Sequence, residues 1–578
     1  MLTITEEKQE VLDASGNLLV MGGPGSGKTT IALLKADHEI KNGALKNGQK
    51  ILFLSFARAT IARVEQHAKS VLGNINESAI EINTYHGFIW SILRSHGKLL
   101  IPHQVRVLPP HDASARLSAF TDTLEKDTEK ERLFADEGLL HFDLFANKCV
   151  QLLVSSNALS KIISDAYPII ILDEFQDTDL DQWLLVKHLG QRSTLIALAD
   201  PGQRIYDFRG ADPARIGQFV EVFHPREFDF GTENNRSSGT DIVQFGNDLL
   251  SGRNIGKEYD NVKIVRYPLR RRKAEIFQIK SHILSRLKEI KDNPDWSLAV
   301  LVPSNRLMMD VSDILGKQNR FTNGRTMPAL AHEVSVDVTG PAIAATIIAK
   351  ILELSSQNIC RMEDIVSALC DYMLGRRGGE KNVPQTEQDM AKALSDYITA
   401  GDFAKPIRGK LRQQVIAECS QIATACNAMQ FTGEVSADWI VVRDALKEAT
   451  SDCLKKLHED AHFIRLLRKG SSLNNGLAQL WRKNANYAGA TDSVQNALTQ
   501  EHFAASKKVW NGINVMTIHK AKGKEFDEVI VYEGSFAGQR FVSYNDVEKA
   551  RLVLRVAVTR AKQNTIILSP QNEPCPIL

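Results

Sequence analysis

The stretch GGPGSGKTT at residues 22–30 decides how this chain is read. It fits the pattern G-x-x-x-x-G-K-[ST], in which glycines let successive backbone N–H groups converge on phosphate oxygens. Lys28 is long enough to reach the outer phosphates of a nucleotide, and the Thr29 hydroxyl is suited to a Mg²⁺ ion. The flanks agree. NLLVM (17–21) reads as a buried strand and TIALLKADHEI (30–40) as a helix, so bound phosphates would rest on a helix N-terminus. A flexible glycine turn is the alternative, and the strand–loop–helix context argues against it. Gly22, Gly23, Pro24, Gly25, Ser26, Gly27, Lys28, Thr29 and Thr30 are therefore the candidate nucleotide-binding residues.

A second stretch, IILDEFQDTD at 170–179, ends an apolar run in Asp173, Glu174, Asp177 and Asp179. Like charges this close disfavour one another unless something positive lies among them. A magnesium-bound nucleotide on the phosphate loop would supply it. Asp173 would hold the metal, mostly through water, and Glu174 would orient or deprotonate an attacking water. A solvated acidic loop is the plainer reading of these residues taken alone.

Further out, short β-branched runs alternate with helical periodicity. NLLVM, ILFLS (51–55), AIEIN (79–83), PIIIL (168–172) and TLIALAD (194–200) read as buried parallel strands. VKIVR (262–266), SLAVLVP (297–303), INVMT (513–517), EVIVY (528–532) and NTIIL (564–568) form a second set. Residues 97–165 and 340–505 look helical and interrupt the two sets. The expected fold is α/β, with two domains of parallel sheet and flanking helices and two mostly helical insertions. The boundaries drawn are 1–95 and 167–221 for the first α/β domain, with 96–166 inserted. The second comprises 222–335 and 507–578, with 336–506 inserted.

Composition sets limits. At 43% hydrophobic and 24% charged residues the chain suits a globular protein. The net charge is +2, so a nucleic-acid surface must come from local clustering. Seven cysteines are scattered without CxxC or Cys/His spacing, which suits idle thiols in a reducing cytosol. The N-terminus lacks a signal layout and no apolar run is long enough for a membrane span.

In order, the short motifs resemble those of superfamily 1 helicases of the UvrD/Rep/PcrA type. TEEKQEVL (5–12), ILFLSFARATIARV (51–64), INTYHGF (82–88), DEFQD, ALADPGQRIYDFRGA (197–211), ENNRSS (233–238), INVMTIHKAKGKEFDEVIV (513–531) and VAVTRAK (556–562) carry the resemblance. It implies two RecA-like domains that bind Mg²⁺ and ATP between them. It also implies that Gln9 reads the adenine, that Glu525 contacts the ribose, and that Gln203 senses the terminal phosphate. Arg236 and Arg560 would stabilise the transferring phosphoryl group from the second domain. Single-stranded DNA would run over Phe56, Thr84, His86, Tyr206, Phe208, Arg209 and His519, which offer π-faces and cations.

This sequence departs from the family's pattern at several points. Asn235 and Thr30 stand where the family has the tyrosine and arginine that sandwich the adenine, which points to weak or base-tolerant nucleotide recognition. Arg555 stands where tyrosine is usual, and Lys524 where leucine is. The resemblance implies a DNA-stimulated ATPase that translocates on, or unwinds, single-stranded or tailed duplex DNA, 3′ to 5′. The alternative is a helicase-like, DNA-sensing subunit that regulates a partner nuclease, as in Gabija-type anti-phage complexes. A phosphate-loop ATPase acting on RNA or protein is a third reading.

Overall fold

The computed structural model describes residues 4–55, 64–65, 77–108, 113, 116–117, 120, 122–203, 212, 214–231, 237–268, 272–290, 295–320, 326–335, 339–376, 383–462, 472–503, 510–534, 538–542 and 546–578. Phe56, Tyr206, Phe208, Arg209, Asn235 and Arg236 lie outside these residues. The chain forms two compact units. One comprises residues 1–91, 146–336 and 505–578, the other 92–145 and 337–504.

The strands in chain order are β1 (Leu18–Met21), β2 (Ile51–Ser55), β3 (Ile80–Thr84), β4 (Arg106–Val107), β5 (Leu139–Leu140), β6 (Ile169–Leu172), β7 (Thr194–Ala199) and β8 (Arg226–Asp229). They continue as β9 (Val262–Tyr267), β10 (Ser297–Val302), β11 (Asn319–Arg320), β12 (Thr326–Met327), β13 (His332–Val334), β14 (Gly512–Thr517), β15 (Phe526–Tyr532) and β16 (Ala561–Pro570). The first unit holds two six-stranded sheets, ordered β3-β2-β6-β7-β1-β8 and β13-β14-β10-β15-β16-β9. Every pairing within them is parallel. The central strands are apolar and buried throughout, as strands of a parallel sheet covered on both faces are.

Strand order places chemistry. In the first sheet β1, β7 and β6 lie side by side, so the loops after Met21, Ala199 and Leu172 open at one edge. In the second, β14 and β15 flank β10, and β16 pairs with β15. The loop after Thr517 and the loop before Ala561 carry the second lobe's basic residues.

The second unit is mostly helical. Helices Thr339–Ser355, Met362–Gly375, Lys410–Asn427, Val435–Asp444 and Ala490–Phe503 are among those that build it. Ile343, Ile347, Ile348, Ile351 and Leu352 recur at helical spacing and are buried with Trp439, Tyr372 and Tyr487. The small β4–β5 pair also lies in this unit. No helix among the described residues is long and apolar enough to cross a membrane.

Candidate nucleotide cleft

The loop after β1 has the backbone its glycines permit. Gly25 sits at φ +80° and Gly27 at φ +94°, left-handed conformations that an L side chain would strain. Gly27 is the cap of helix Lys28–Lys41. The Lys28 ammonium folds back onto its own loop, donating to the carbonyl oxygens of Gly22 (2.5 Å) and Gly23 (3.1 Å). Ser26 Oγ donates to Gly23 O at 3.0 Å. A ring of peptide groups with a lysine at its centre matches the polar outline of a polyphosphate.

The acidic run after β6 resolves residue by residue. Asp173 is buried beside β2, where Ser55 Oγ donates to its Oδ2 at 3.2 Å. Asp179 caps helix Leu180–Leu189 in a capping box. Its side chain accepts from Gln182 N at 2.8 Å, and its own N–H donates to Gln182 Oε1 at 3.3 Å. Glu174 sits at φ +54°, a left-handed backbone rare outside glycine that costs of order 1–2 kcal/mol.

The positive partner of this run comes from the second sheet. Lys522, the cap that follows helix Ile518–Ala521, is only 3% exposed. It pairs with Asp177, whose side chain is fully buried, at very short range. Its ammonium also lies 3.7 Å from Glu174 and donates to Gln203 O at 2.9 Å. Burial pushes the Glu174 carboxyl up. The charges of Lys522 and Lys28, a hydrogen bond from Gln176 and the charge of Arg560 together outweigh it, so the carboxyl is held below the usual range. Glu174 is thus an ionised, half-buried base close to the Lys522 ammonium.

Gln203 links this point to the rest of the second lobe. Arg560 Nη2 donates to Gln203 Oε1 at 2.9 Å, and Gln203 Nε2 donates to Asp200 Oδ2 at 2.7 Å. The Asp200 N–H donates to Gln176 Oε1 at 3.0 Å, and Gln176 Nε2 donates to Glu174 Oε2 at 2.5 Å. A continuous chain of hydrogen bonds therefore runs from Arg560 through Gln203, Asp200 and Gln176 to Glu174.

Of the residues singled out from sequence, the structure brings Lys28, Asp173, Glu174, Gln203 and Arg560 into this one region. Gln9 lies in helix Glu6–Asp13, and its amide donates to the Asp13 carboxylate at 3.1 and 3.2 Å. The Thr84 hydroxyl accepts from Gly87 N at 2.9 Å and so caps helix Tyr85–His96, on whose first turn His86 sits. His519 lies in helix Ile518–Ala521, and Glu525 is half-buried just before β15. Sequence reasoning missed the roles of Lys522, Asp177, Gln176 and Asp200. The only signal for Lys522 was its place inside KAKGKEF.

Comparison with known proteins agrees with this geometry. Residues 4–137 and 112–224 match the UvrD/REP helicase N-terminal domain, and residues 388–572 match the UvrD-like helicase C-terminal domain. YjcD of Bacillus subtilis is 23% identical over 98% of this chain and 79% of its own length. The ATP-dependent DNA helicase PcrA of Staphylococcus epidermidis is 21% identical over 97% of this chain and 82% of its own. The ATP-dependent DNA helicase Rep of Escherichia coli is 25% identical over 42% of this chain and 42% of its own. With matching N- and C-terminal domains, the phosphate loop and the acids on one sheet, and the complementary cations on the other, this chain belongs to the UvrD/Rep/PcrA-type family of superfamily 1 helicases.

Proposed function

We propose that this protein is an ATP-dependent DNA helicase that hydrolyses Mg²⁺-ATP between its two sheets and moves along single-stranded DNA in the 3′-to-5′ direction. The observation that supports this best is the crossing of charge between lobes. Lys522 and Arg560 of the second sheet enter the network formed by Glu174, Asp177 and Gln203 of the first.

Each residue then has a task. The loop Gly22, Gly23, Pro24, Gly25, Ser26, Gly27 holds the phosphates by backbone N–H groups, and Lys28 leaves its carbonyl partners to neutralise them. Asp173 and Thr29 offer oxygen ligands of the kind Mg²⁺ takes, with water completing the set. Bound there, the metal would neutralise charge on the phosphoryl oxygens. Glu174, kept ionised by its neighbours, orients a water molecule and accepts its proton. Arg560, with Arg236, stabilises the charge that builds on the transferring group. Gln203 reports the state of the phosphate through Arg560 and Asp200. Thr30, Gln9 and Glu525 face the nucleoside, and the absence of an aromatic at Asn235 leaves base selection weak.

DNA contacts are assigned to Phe56, Thr84, His86, Tyr206, Phe208, Arg209 and His519. Tyr206 follows Gln203 by three residues, which suits coupling of nucleotide state to grip on the strand. The test is ATP hydrolysis with and without single-stranded DNA, paired with strand displacement on duplexes carrying a 3′ or a 5′ tail. Stimulated hydrolysis and displacement of the 3′-tailed substrate are expected. Hydrolysis indifferent to DNA would contradict the reading, and preference for the 5′ tail would reverse the direction.

A further inference from the structure

We propose that Arg555 is a specificity-determining residue for the triphosphate, a second-lobe cation aimed at the terminal phosphate of a nucleotide seated on the phosphate loop. The proposal rests on the nucleotide-cleft reading above and adds to it a residue at which this chain departs from its family.

Arg555 lies on helix Val547–Val558 of the second lobe, and its side chain is 5% exposed. Its guanidinium reaches out of that lobe. Nη2 donates to Asn247 Oδ1 at 3.1 Å within the second lobe, while Nη1 approaches Asp200 Oδ1 of the first at 3.4 Å. The second contact is long for an arginine–carboxylate pair, which ordinarily closes to about 2.7–2.9 Å. Asp200 is also heavily shared, since Gln203 Nε2 and the Gly202 N–H donate to it at 2.7 and 3.0 Å. The Nε–H of Arg555 is buried, and no group among the described residues accepts from it. A buried cation with one long ion pair and an unused donor is costly unless a further anion completes its shell.

The surroundings say where that anion sits. The guanidinium lies against two glycines of the first lobe. A methyl group on Gly202 would come within 2.4 Å of Nη1, and one on Gly23 would lie 3.8 Å from Nη2. Gly23 is the phosphate-loop residue whose carbonyl accepts from the Lys28 ammonium at 3.1 Å. Arg555 and Lys28 thus both approach Gly23, one beside its Cα and the other at its carbonyl oxygen. A diphosphate bound along the loop leaves its outer end without charge, whereas a triphosphate fills it. A planar guanidinium with spare donors suits phosphate oxygens, which a tyrosine at this position could not neutralise.

The competing explanation is a tie between lobes, in which Arg555 only holds Asp200 to Asn247. The two differ in what they do to nucleotide discrimination. Dissociation constants for fluorescent ADP and for a non-hydrolysable fluorescent ATP analogue would be measured on the full chain with Mg²⁺ and a single-stranded oligonucleotide. Arg555→Gln is expected to weaken the triphosphate analogue about tenfold and to leave ADP within about twofold, consistent with loss of one charge-assisted contact. Gly202→Ala keeps every charge and folds around a flexible side-chain tip, yet displaces the guanidinium, and should shift the ratio in the same direction. Arg555→Lys should restore part of it. Equal weakening of both nucleotides, or an unchanged ratio in both Arg555→Gln and Gly202→Ala, overturns the proposal. A Lys28→Ala chain that binds both nucleotides like the native protein would instead overturn the cleft reading itself.

Discussion

Buried polar groups are used differently at the tips of the two parallel sheets and in the helical unit. At the sheet tips they connect stretches far apart in sequence. Lys522 meets Asp177 across 345 residues, and Arg560 meets Gln203 across 357. In the helical unit the acids bridge shorter spans, 49 residues from Asp438 to Tyr487 and 88 from Asp460 to Tyr372. Asp438 accepts from the N–H groups of Thr432 and Gly433 at 3.0 and 2.8 Å and from the Tyr487 hydroxyl at 2.7 Å. Asp460 accepts from the Tyr372 hydroxyl at 2.8 Å, at the edge of the apolar core to which Tyr372 belongs. Contacts of the first kind join the two sheets at the site proposed for the nucleotide. Those of the second kind join side chains and backbone within the helical unit itself.

Substitutions should separate the two regions. The largest effect is expected at the sheet tips. Glu174→Gln should lower the rate of ATP hydrolysis by about 10²–10⁴-fold while triphosphate binding persists, because only the proton acceptor is lost. Single-turnover kinetics beside equilibrium binding checks this, and a parallel loss of binding would count against the role. Next, Trp439→Ala in the helical core should destabilise the protein by about 3–5 kcal/mol, with hydrolysis per folded molecule unchanged. Denaturant unfolding followed by activity of the folded fraction would show whether the two quantities part company.

Asp177→Asn tests a contact that belongs to both categories. It leaves the Lys522 ammonium buried beside a neutral amide, at a cost of about 3–5 kcal/mol. Unlike Trp439→Ala it should also disturb hydrolysis, since Lys522 lies beside Glu174. Lys522→Gln should act on the same carboxyl through pH. Burial alone would raise the Glu174 carboxyl, and Lys522 is the largest of the influences that lower it. Without that ammonium the group protonates at higher pH, so the acid limb of the rate profile should move to higher pH. A limb that stays in place would remove Lys522 from the account of Glu174.

The smallest effect is expected in the helical unit. Glu418 accepts from Thr450 N at 3.0 Å, Thr450 Oγ1 at 2.6 Å and Ser451 N at 3.2 Å. Burial pushes its carboxyl up, but hydrogen bonds from Ser451, Thr450 and Gln414 outweigh this and bring it down to about 2. Its folded value lies below its unfolded one, so its contribution is present above the ordinary carboxylate range and fades as pH falls towards about 2. The stability difference between the native chain and Glu418→Gln should shrink over that window, with hydrolysis untouched.

How much of this could be read in advance follows from the same distinction. The buried central strands announced themselves, because a parallel strand covered on both faces is a continuous apolar run, as in ILFLS and SLAVLV. Of the edge strands, β3 and β9 kept an apolar alternation that could be read, whereas the short β8 (REFD) and β13 (HEV) did not, since a strand paired on one side only can stay polar. The phosphate loop and the Asp173–Glu174 pair were legible because their chemistry is local. The sequence offers a metal-bound nucleotide as partner of Asp173 and Glu174, and the structure adds Lys522 beside Glu174 and Asp177. No local pattern reveals a contact 345 residues away. Arg555 was visible as a departure from the family, but its direction became clear only with Gly23 and Gly202 beside it.

The central claim is that the second lobe completes the site built on the first. The most direct test is the DNA-stimulated rate of ATP hydrolysis by Arg560→Ala, measured at saturating ATP with triphosphate affinity determined in parallel. If Arg560 stabilises the transferring phosphoryl group, the rate should fall by about 10³-fold or more while affinity changes far less. A variant that hydrolyses ATP at the native rate would contradict the claim.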